Sequence, residues 1–389
     1  MKTCDIVVGL GFGDEGKGKT TDWLCSLSPK STDSIVIRYS GGHQAGHTVE
    51  ISGRRHVFQS FGSGTLRGVP TFWSRFCTFY PIGFIREYQE LAKIGVTPEI
   101  YVDPLTPVTT VYDVMYNQMI AEVTGHGSVG VGFGCTIERH ETPCKLYVKD
   151  LFYESIYRAK LRSIMEYYRN KLTVSLERRW LSQDFATALS NFVDVVSVIT
   201  TPSFNGGKII MADERQIIQR HDHVVFEGAQ GVLLDMDHGF FPYVTRSNTT
   251  SRNAIEMLTR TYGHSMPCIP TVYYVTRSYL TRHGAGPFPT ENNVGMLKNI
   301  NDNTNKFNDW QKHLRVGCLD MELLKYALTT DQAFSNMCHK QLCMTHIDCV
   351  DEADIPTSAG VYTKYELLSM LPVDAMMVSG TVQSEFEHI

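Results

Sequence analysis

No run of about 20 apolar residues occurs anywhere in the 389-residue chain, which argues against a membrane-spanning helix. The apolar stretch Ile6-Val7-Val8-Gly9-Leu10 near the start is too short for a signal peptide, so the expected location is cytoplasmic. Positive charge is not in excess: 36 Lys and Arg stand against 41 Asp and Glu, a net charge of −5. No bulk basic field exists to hold a nucleic-acid backbone, so any phosphate must be held locally, by loops and a few placed cations. The ten cysteines form no C-x-x-C pair. They read as thiols of a reducing compartment, most of them small buried hydrophobes, and not as a disulfide framework. Internal repeats and Pro- or Ser-rich linkers are missing too, so nothing marks a boundary between separable domains.

What is present is enough apolar side chain for a large core. Hydrophobic residues make up 42% and charged residues 20%, which excludes a disordered chain. Short apolar runs predict strands at residues 6–9, Ser34–Tyr39, Val195–Ile199, His223–Phe226, Cys268–Val275 and Gln341–Thr345. Helical patterns cover Lys17–Leu27 and, with few breakers, Leu151–Phe192, while Asn299–Asn308 reads as a loop. Strands separated by helices and followed by polar or Gly-rich turns describe an α/β protein with a large, mainly parallel central sheet and flanking helices. The expectation is one domain over residues 1–389, with a mainly helical insertion around 151–192.

Two strand ends carry the chemistry. Gly11-Phe12-Gly13-Asp14-Glu15-Gly16-Lys17-Gly18-Lys19 has the Gly-x4-Gly-Lys spacing of a phosphate-binding loop, whose amides and following helix offer positive dipole to an anion. It is atypical. Gly18 stands where an ordinary P-loop places the Ser or Thr that holds Mg²⁺, which leaves Asp14 as the oxygen ligand at hand. A carboxylate there would repel phosphate unless a cation or a proton intervenes. The second loop, Ser40-Gly41-Gly42-His43-Gln44-Ala45-Gly46-His47-Thr48, brings a histidine to a Gly-rich strand end, where it can serve a phosphate or a leaving oxygen. His47 is the functional candidate, and His43 suits a loop-stabilising place.

Together these loops resemble those of adenylosuccinate synthetase. Three later segments agree in order: Phe226-Glu227-Gly228-Ala229-Gln230-Gly231, Pro242-Tyr243-Val244-Thr245-Arg246-Ser247-Asn248, and Gly284-Ala285-Gly286-Pro287-Phe288-Pro289-Thr290-Glu291. The resemblance implies a Mg²⁺-dependent ligase. A nucleoside triphosphate phosphorylates O6 of a 6-oxopurine 5′-monophosphate, and the amine of L-aspartate displaces that phosphate. It further implies that Asp14 takes the N1 proton and binds Mg²⁺ together with the Gly46 carbonyl, and that His47 donates to the transferring phosphoryl group. Lys17, Gly13, Glu15, Gly16, Gly18 and Lys19 are assigned to the nucleotide phosphates. Gln230 reads the purine edge. Gln44, Ser128, Val129, Gly130 and Thr245 belong to nucleotide binding, the last four at the 5′-phosphate, and Asp348, Ser379 and Gly380 complete the nucleotide contacts. Thr290, His313 and Arg315 are assigned to L-aspartate.

Departures from the family pattern bear on substrate. Lys312 stands where an arginine reaches the ribose, and lysine lacks the bidentate fork. Leu314 replaces an arginine serving the triphosphate, and Thr345-His346-Ile347-Asp348 replaces the guanine-reading Thr-Lys-Leu-Asp. The arginine that a neighbouring subunit would supply falls near Pro143, with Arg139 or Lys145 as substitutes, which leaves the homodimer open. The changes, with a chain short for the cellular enzyme, resemble the viral branch acting on dGMP, which would place the protein in a host cytoplasm. Retention of Asp14 points the other way, since some viral members replace it, and IMP remains the alternative acceptor. The donor, ATP, dATP or GTP, stays open. A catalytically lapsed nucleotide-binding protein is the remoter alternative, opposed by Asp14, Lys17, His47 and Gln230.

Overall fold

The computed structural model describes residues 2–28, 30–124, 129–201, 209–263, 265–298, 300, 314–351, 354–381 and 384–389. Ser128, Lys312, His313 and, apart from Ile300, the segment 299–308 lie outside the described residues. The centre is a ten-stranded sheet. Its strands are β1 (Thr3–Gly9), β2 (Ser34–Arg38), β3 (Thr71–Trp73), β4 (Ile100–Val102), β5 (Ile210–Met211), β6 (His223–Glu227), β7 (Thr271–Arg277), β8 (His339–Thr345), β9 (Ala375–Val378) and β10 (Glu387–His388). They lie in the order β10-β9-β8-β7-β1-β6-β2-β3-β4-β5, and only β9 with β10 is antiparallel.

Central strands are buried on both faces, as the near-continuous apolar runs require of a parallel sheet. Alternation sorts β1. Ile6 and Val8 enter the larger core with Phe226 and Tyr274, while Val7 packs on the other face with Leu24, Val36 and Val225. The register sets Val7 beside Glu227, Arg38 beside Glu227, Gly9 beside Val275 and Arg277 beside Thr345. The C-terminal ends of β2, β6, β1, β7 and β8 therefore adjoin, and the Gly-rich loops all leave from one edge of the sheet.

Two strand expectations change. Val195–Ile199 lies within a helix, Phe185–Thr200, capped by Asp184, which accepts from the Thr187 amide. The β-branched run suggested a strand, but Phe192, Val196 and Ile199 are buried at helical spacing against the second apolar core. In the Cys268–Val275 run the strand begins only at Thr271. Pro270 has no N–H to give to a strand between two neighbours. Helices Glu154–Arg169, Val174–Leu181 and Phe185–Thr200 form the helical segment, which thus extends to residue 200. All ten cysteines are free thiols, eight of them buried. Among the described residues no helix is long and apolar enough to cross a membrane.

Candidate active site

The loop after β1 is organised around its own carboxylate. Glu15 accepts from the amides of Gly11 at 2.7 Å and Gly13 at 3.0 Å, and its other oxygen lies 2.6 Å from Lys17 Nζ. Both charged side chains are buried. Glu15 is thus turned inward and consumes two loop amides. The positive end left for an anion is the start of helix α1 (Lys17–Ser26), where Gly16, at φ 95°, is the N-cap and no side chain caps the helix. Gly18 explains itself by contact: a Cβ there would lie 2.8 Å from His47 Cβ and 3.2 Å from Ser63 Oγ. The residue that carries a metal-binding hydroxyl in ordinary P-loops is here the seat of the second loop.

His47 opens the strand His47–Ile51, and its Nδ1 lies 2.6 Å from Glu227 Oε1 at the end of β6. Glu227 is fully buried, and also accepts from the Ser63 amide at 3.0 Å and from the Ser63 hydroxyl. Burial pushes its carboxyl up, but His47, Arg38 and Ser63 outweigh burial and hold it below the usual carboxylate range. At His47 burial prevails over Glu227 and keeps the imidazole below its ordinary value. A neutral ring donating from Nδ1 to an ionised carboxylate is the consistent reading. An arriving phosphate would favour the imidazolium, which donates from Nε2.

Asp14 has φ 57°, and Arg277 Nε donates to its carbonyl. Its Oδ2 lies 2.7 Å from His283 Nε2, with the carboxylate side chain 30% exposed at the sheet edge. Burial pushes this carboxyl up, but the hydrogen bond and charge of His283, with Arg277 and Lys17, outweigh it and hold the group below the usual range. Gln230, also at positive φ, sets its side-chain oxygen 3.8 Å from where a Cβ on Gly13 would lie. The strand-end loops are sewn together. Ser40 Oγ accepts from the Ala229 amide at 2.9 Å and Ser247 Oγ from the Gly41 amide at 3.2 Å, which brings the Thr245 loop alongside. The two amide heavy atoms of Gln44 are buried and have no hydrogen-bond partner among the described residues. Val129 and Gly130 lead into the helix Phe133–His140, and Phe133 and Gln44 both lie 3.1 Å from a Cβ built on Gly42. His43 is bonded to Ser60 Oγ at 3.0 Å.

On the far side of the phosphate loop Lys19 donates to Ser379 Oγ and to the Thr381 carbonyl. Asp348 is exposed, its Oδ1 3.4 Å from a Cβ built on Gly380, and its charge acts on Lys19. Lys19, Asp348, Ser379, Gly380 and Thr381 thus form one group. In the segment assigned to L-aspartate, Arg315 makes a bidentate pair with Glu291, at 2.7 and 2.5 Å, and donates to the Gly284 and Gly286 carbonyls. The Thr290 hydroxyl donates to the Cys318 carbonyl at 2.8 Å. Glu291 occupies the bidentate face of Arg315, so a substrate carboxylate would have to displace it to make the same paired contact. Arg139 is not a spare cation: it is fully buried in a salt bridge to Asp113.

A divalent cation fits these donors in one way. Among the described residues no cluster of three or more His, Cys, Asp or Glu could cage a metal. One carboxylate, Asp14, and an exposed backbone at Gly46 are what the loops offer. Few protein ligands, all oxygen, completed by phosphate oxygens and water, is the habit of Mg²⁺. Sequence reasoning missed the partners Glu227 and His283. A lone carboxylate ending the apolar run of β6 was the signal for the first. The second had only its place beside the Gly284–Glu291 motif.

A family model for adenylosuccinate synthetase matches residues 6–385. Adenylosuccinate synthetase of Edwardsiella ictaluri (strain 93-146) is 30% identical over 356 residues, which are 90% of this chain and 78% of that protein. The Blochmanniella pennsylvanica (strain BPEN) enzyme of the same name is 29% identical, over 89% and 77%. Among solved structures, fully ligated adenylosuccinate synthetase from Plasmodium falciparum superposes with a TM-score of 0.68 at 18% identity, covering 100% of this chain and 88% of that one. Cyanophage S-2L succinoaminodeoxyadenylate synthetase, bound to dGMP and to dATP as energy donor, gives a TM-score of 0.61 at 17% identity, over 100% and 95%.

Proposed function

The chain belongs to the adenylosuccinate synthetase family of C–N ligases, and from that premise we propose that its acceptor is dGMP, converted with L-aspartate and a nucleoside triphosphate into 2-amino-N6-succinyl-2′-deoxyadenylate. The observation that supports the chemistry is that Asp14 and His47 stand on two loops at one sheet edge, each with its own partner, and that His47 packs against Gly18 at the end of the Asp14 loop. Asp14 takes the N1 proton of the lactam, charge moves onto O6, and O6 attacks the γ-phosphorus. His47 donates to the phosphoryl oxygens as charge grows there. The aspartate amine then adds at C6 and phosphate leaves. Guanine carries the same N1–H and O6 as hypoxanthine, so the reaction is unchanged by the 2-amino group. Asp14 and the Gly46 carbonyl are the residues that would hold Mg²⁺, which when bound offsets negative charge on the transferring phosphate.

Support for dGMP comes from Lys312 in place of a ribose-reading arginine and from His346 in the donor segment. The ligands of the cyanophage protein are of the proposed kind. IMP is the second reading, favoured by retention of Asp14 and by the 30% identity to a bacterial adenylosuccinate synthetase. The test is phosphate release with Mg²⁺ and L-aspartate, crossing dGMP, GMP and IMP against ATP, dATP and GTP. The expected result is aspartate-dependent turnover fastest with dGMP, lost in Asp14→Ala protein whose melting curve is unchanged. Faster turnover of IMP would reject dGMP; no turnover with any pair would reject the ligase.

A further inference from the structure

Asp14 and the residue after it are held at three points. Arg277 Nε donates to its carbonyl, and Thr345 Oγ1 donates at 2.7 Å to the carbonyl of Glu15. These two bonds fix the peptides on its C-terminal side while the residue keeps φ 57°, in the left-handed region that a non-glycine residue enters only under tertiary constraint. What the backbone leaves free is the carboxylate, and there His283 Nε2 meets Oδ2 at 2.7 Å. The two side chains are 20% and 30% exposed, so the pair does little for stability and sits at the mouth of the site. His283 comes from the turn after the strand Tyr279–Arg282, the same turn whose Gly284 and Gly286 carbonyls Arg315 holds.

We propose that His283 is a positioning residue: by donating from Nε2 to Oδ2 it fixes the Asp14 carboxylate with Oδ1 presented to the N1–H of the bound purine. The inference deepens the proposed reaction and rests on Asp14 as its base. In the step concerned the N1 proton passes to Oδ1. The N1–H electron pair moves into the ring, and the C6–O6 π pair becomes the pair with which O6 bonds to phosphorus. The bond from phosphorus to the bridging oxygen breaks, and the nucleoside diphosphate leaves. No bond to His283 forms or breaks. Its effect is confined to holding a geometry that matters most in the transition state.

Full-length His283→Val and His283→Gln proteins test this, with Mg²⁺, triphosphate and L-aspartate saturating and dGMP varied. Valine removes the donor, while the glutamine amide can place an N–H where Nε2 was. The valine variant is expected to lose about 10- to 100-fold in kcat, the scale of a hydrogen bond to a charged group, with KM for dGMP near wild type. The glutamine variant is expected to recover most of that loss. A kcat within about twofold of wild type in the valine variant, equal loss in both variants, or a change in KM alone would each overturn the proposal. If the wild-type protein itself releases no phosphate in response to aspartate, the ligase reading falls, and the His283 assignment with it. That outcome shows in the control and is not confused with a failure confined to the variants.

Discussion

At Lys19 burial works against the charge. The ammonium donates to Ser379 and Thr381, and burial lowers its pKa to about 8 although Asp348 pulls the other way. Below that value it is a cation beside the phosphate loop; above it the side chain is neutral, and attraction for an anionic triphosphate fades. The apparent kcat/KM for the donor nucleotide should therefore fall as pH rises through about 8, by up to tenfold per unit. In Lys19→Arg the guanidinium stays charged and the fall should vanish from the pH profile. An identical fall in that variant would show that another group titrates. Asp14, Lys17, His47 and Gln230 could be named as candidates from the sequence because each lies in or next to a Gly-rich segment that follows a strand. Glu227 and His283, which set how His47 and Asp14 can act, were not among them. A pairing between residues 180 positions apart leaves no local pattern.

At the scale of elements, the site depends on how closely helix α1 meets the hairpin His47–Ile51 and Arg54–Phe58. Gly18 is the contact, and any side chain there must push against His47 Cβ. Gly18→Ser restores the residue of an ordinary phosphate loop and supplies a hydroxyl, yet it should not supply a useful metal ligand. Overpacking of this kind costs about 1–3 kcal/mol and moves His47 off Glu227. We expect a lower midpoint in denaturant unfolding and a kcat lower by about 10²-fold or more, as for loss of one transition-state donor. Full activity in Gly18→Ser would mean that the hairpin has room to shift. The parallel sheet itself was readable, since buried strands alternate with helices. The error at Val195–Ile199 has a physical source. Four of its five residues are β-branched, which favours a strand locally, but they continue the buried face of Phe192. Packing of that face overrode the local preference.

For the whole molecule, the two largest of the three apolar cores must act together if ligand binding at one sheet edge is to stabilise the chain. The sheet core includes Phe72 and the helical core includes Trp73, neighbours in β3 that point to opposite faces. One strand thus serves both cores, and loosening either exposes a residue adjacent to the other. Strand-end loops leave β1, β2, β6, β7 and β8, so under the proposed function a nucleotide set that bridges them would stabilise the folded state by mass action, about 2.7 kcal/mol for a ligand at 100 times its Kd. Addition of dGMP, Mg²⁺ and a triphosphate should then raise Tm by several degrees in a single transition at fixed scan rate. Double-stranded DNA should leave Tm unchanged, because a net charge of −5 supplies no bulk basic field for a phosphate backbone. Scanning calorimetry distinguishes the outcomes. If the ligands shift only part of the heat absorption and leave a second transition in place, the helical segment unfolds on its own and β3 does not couple the cores.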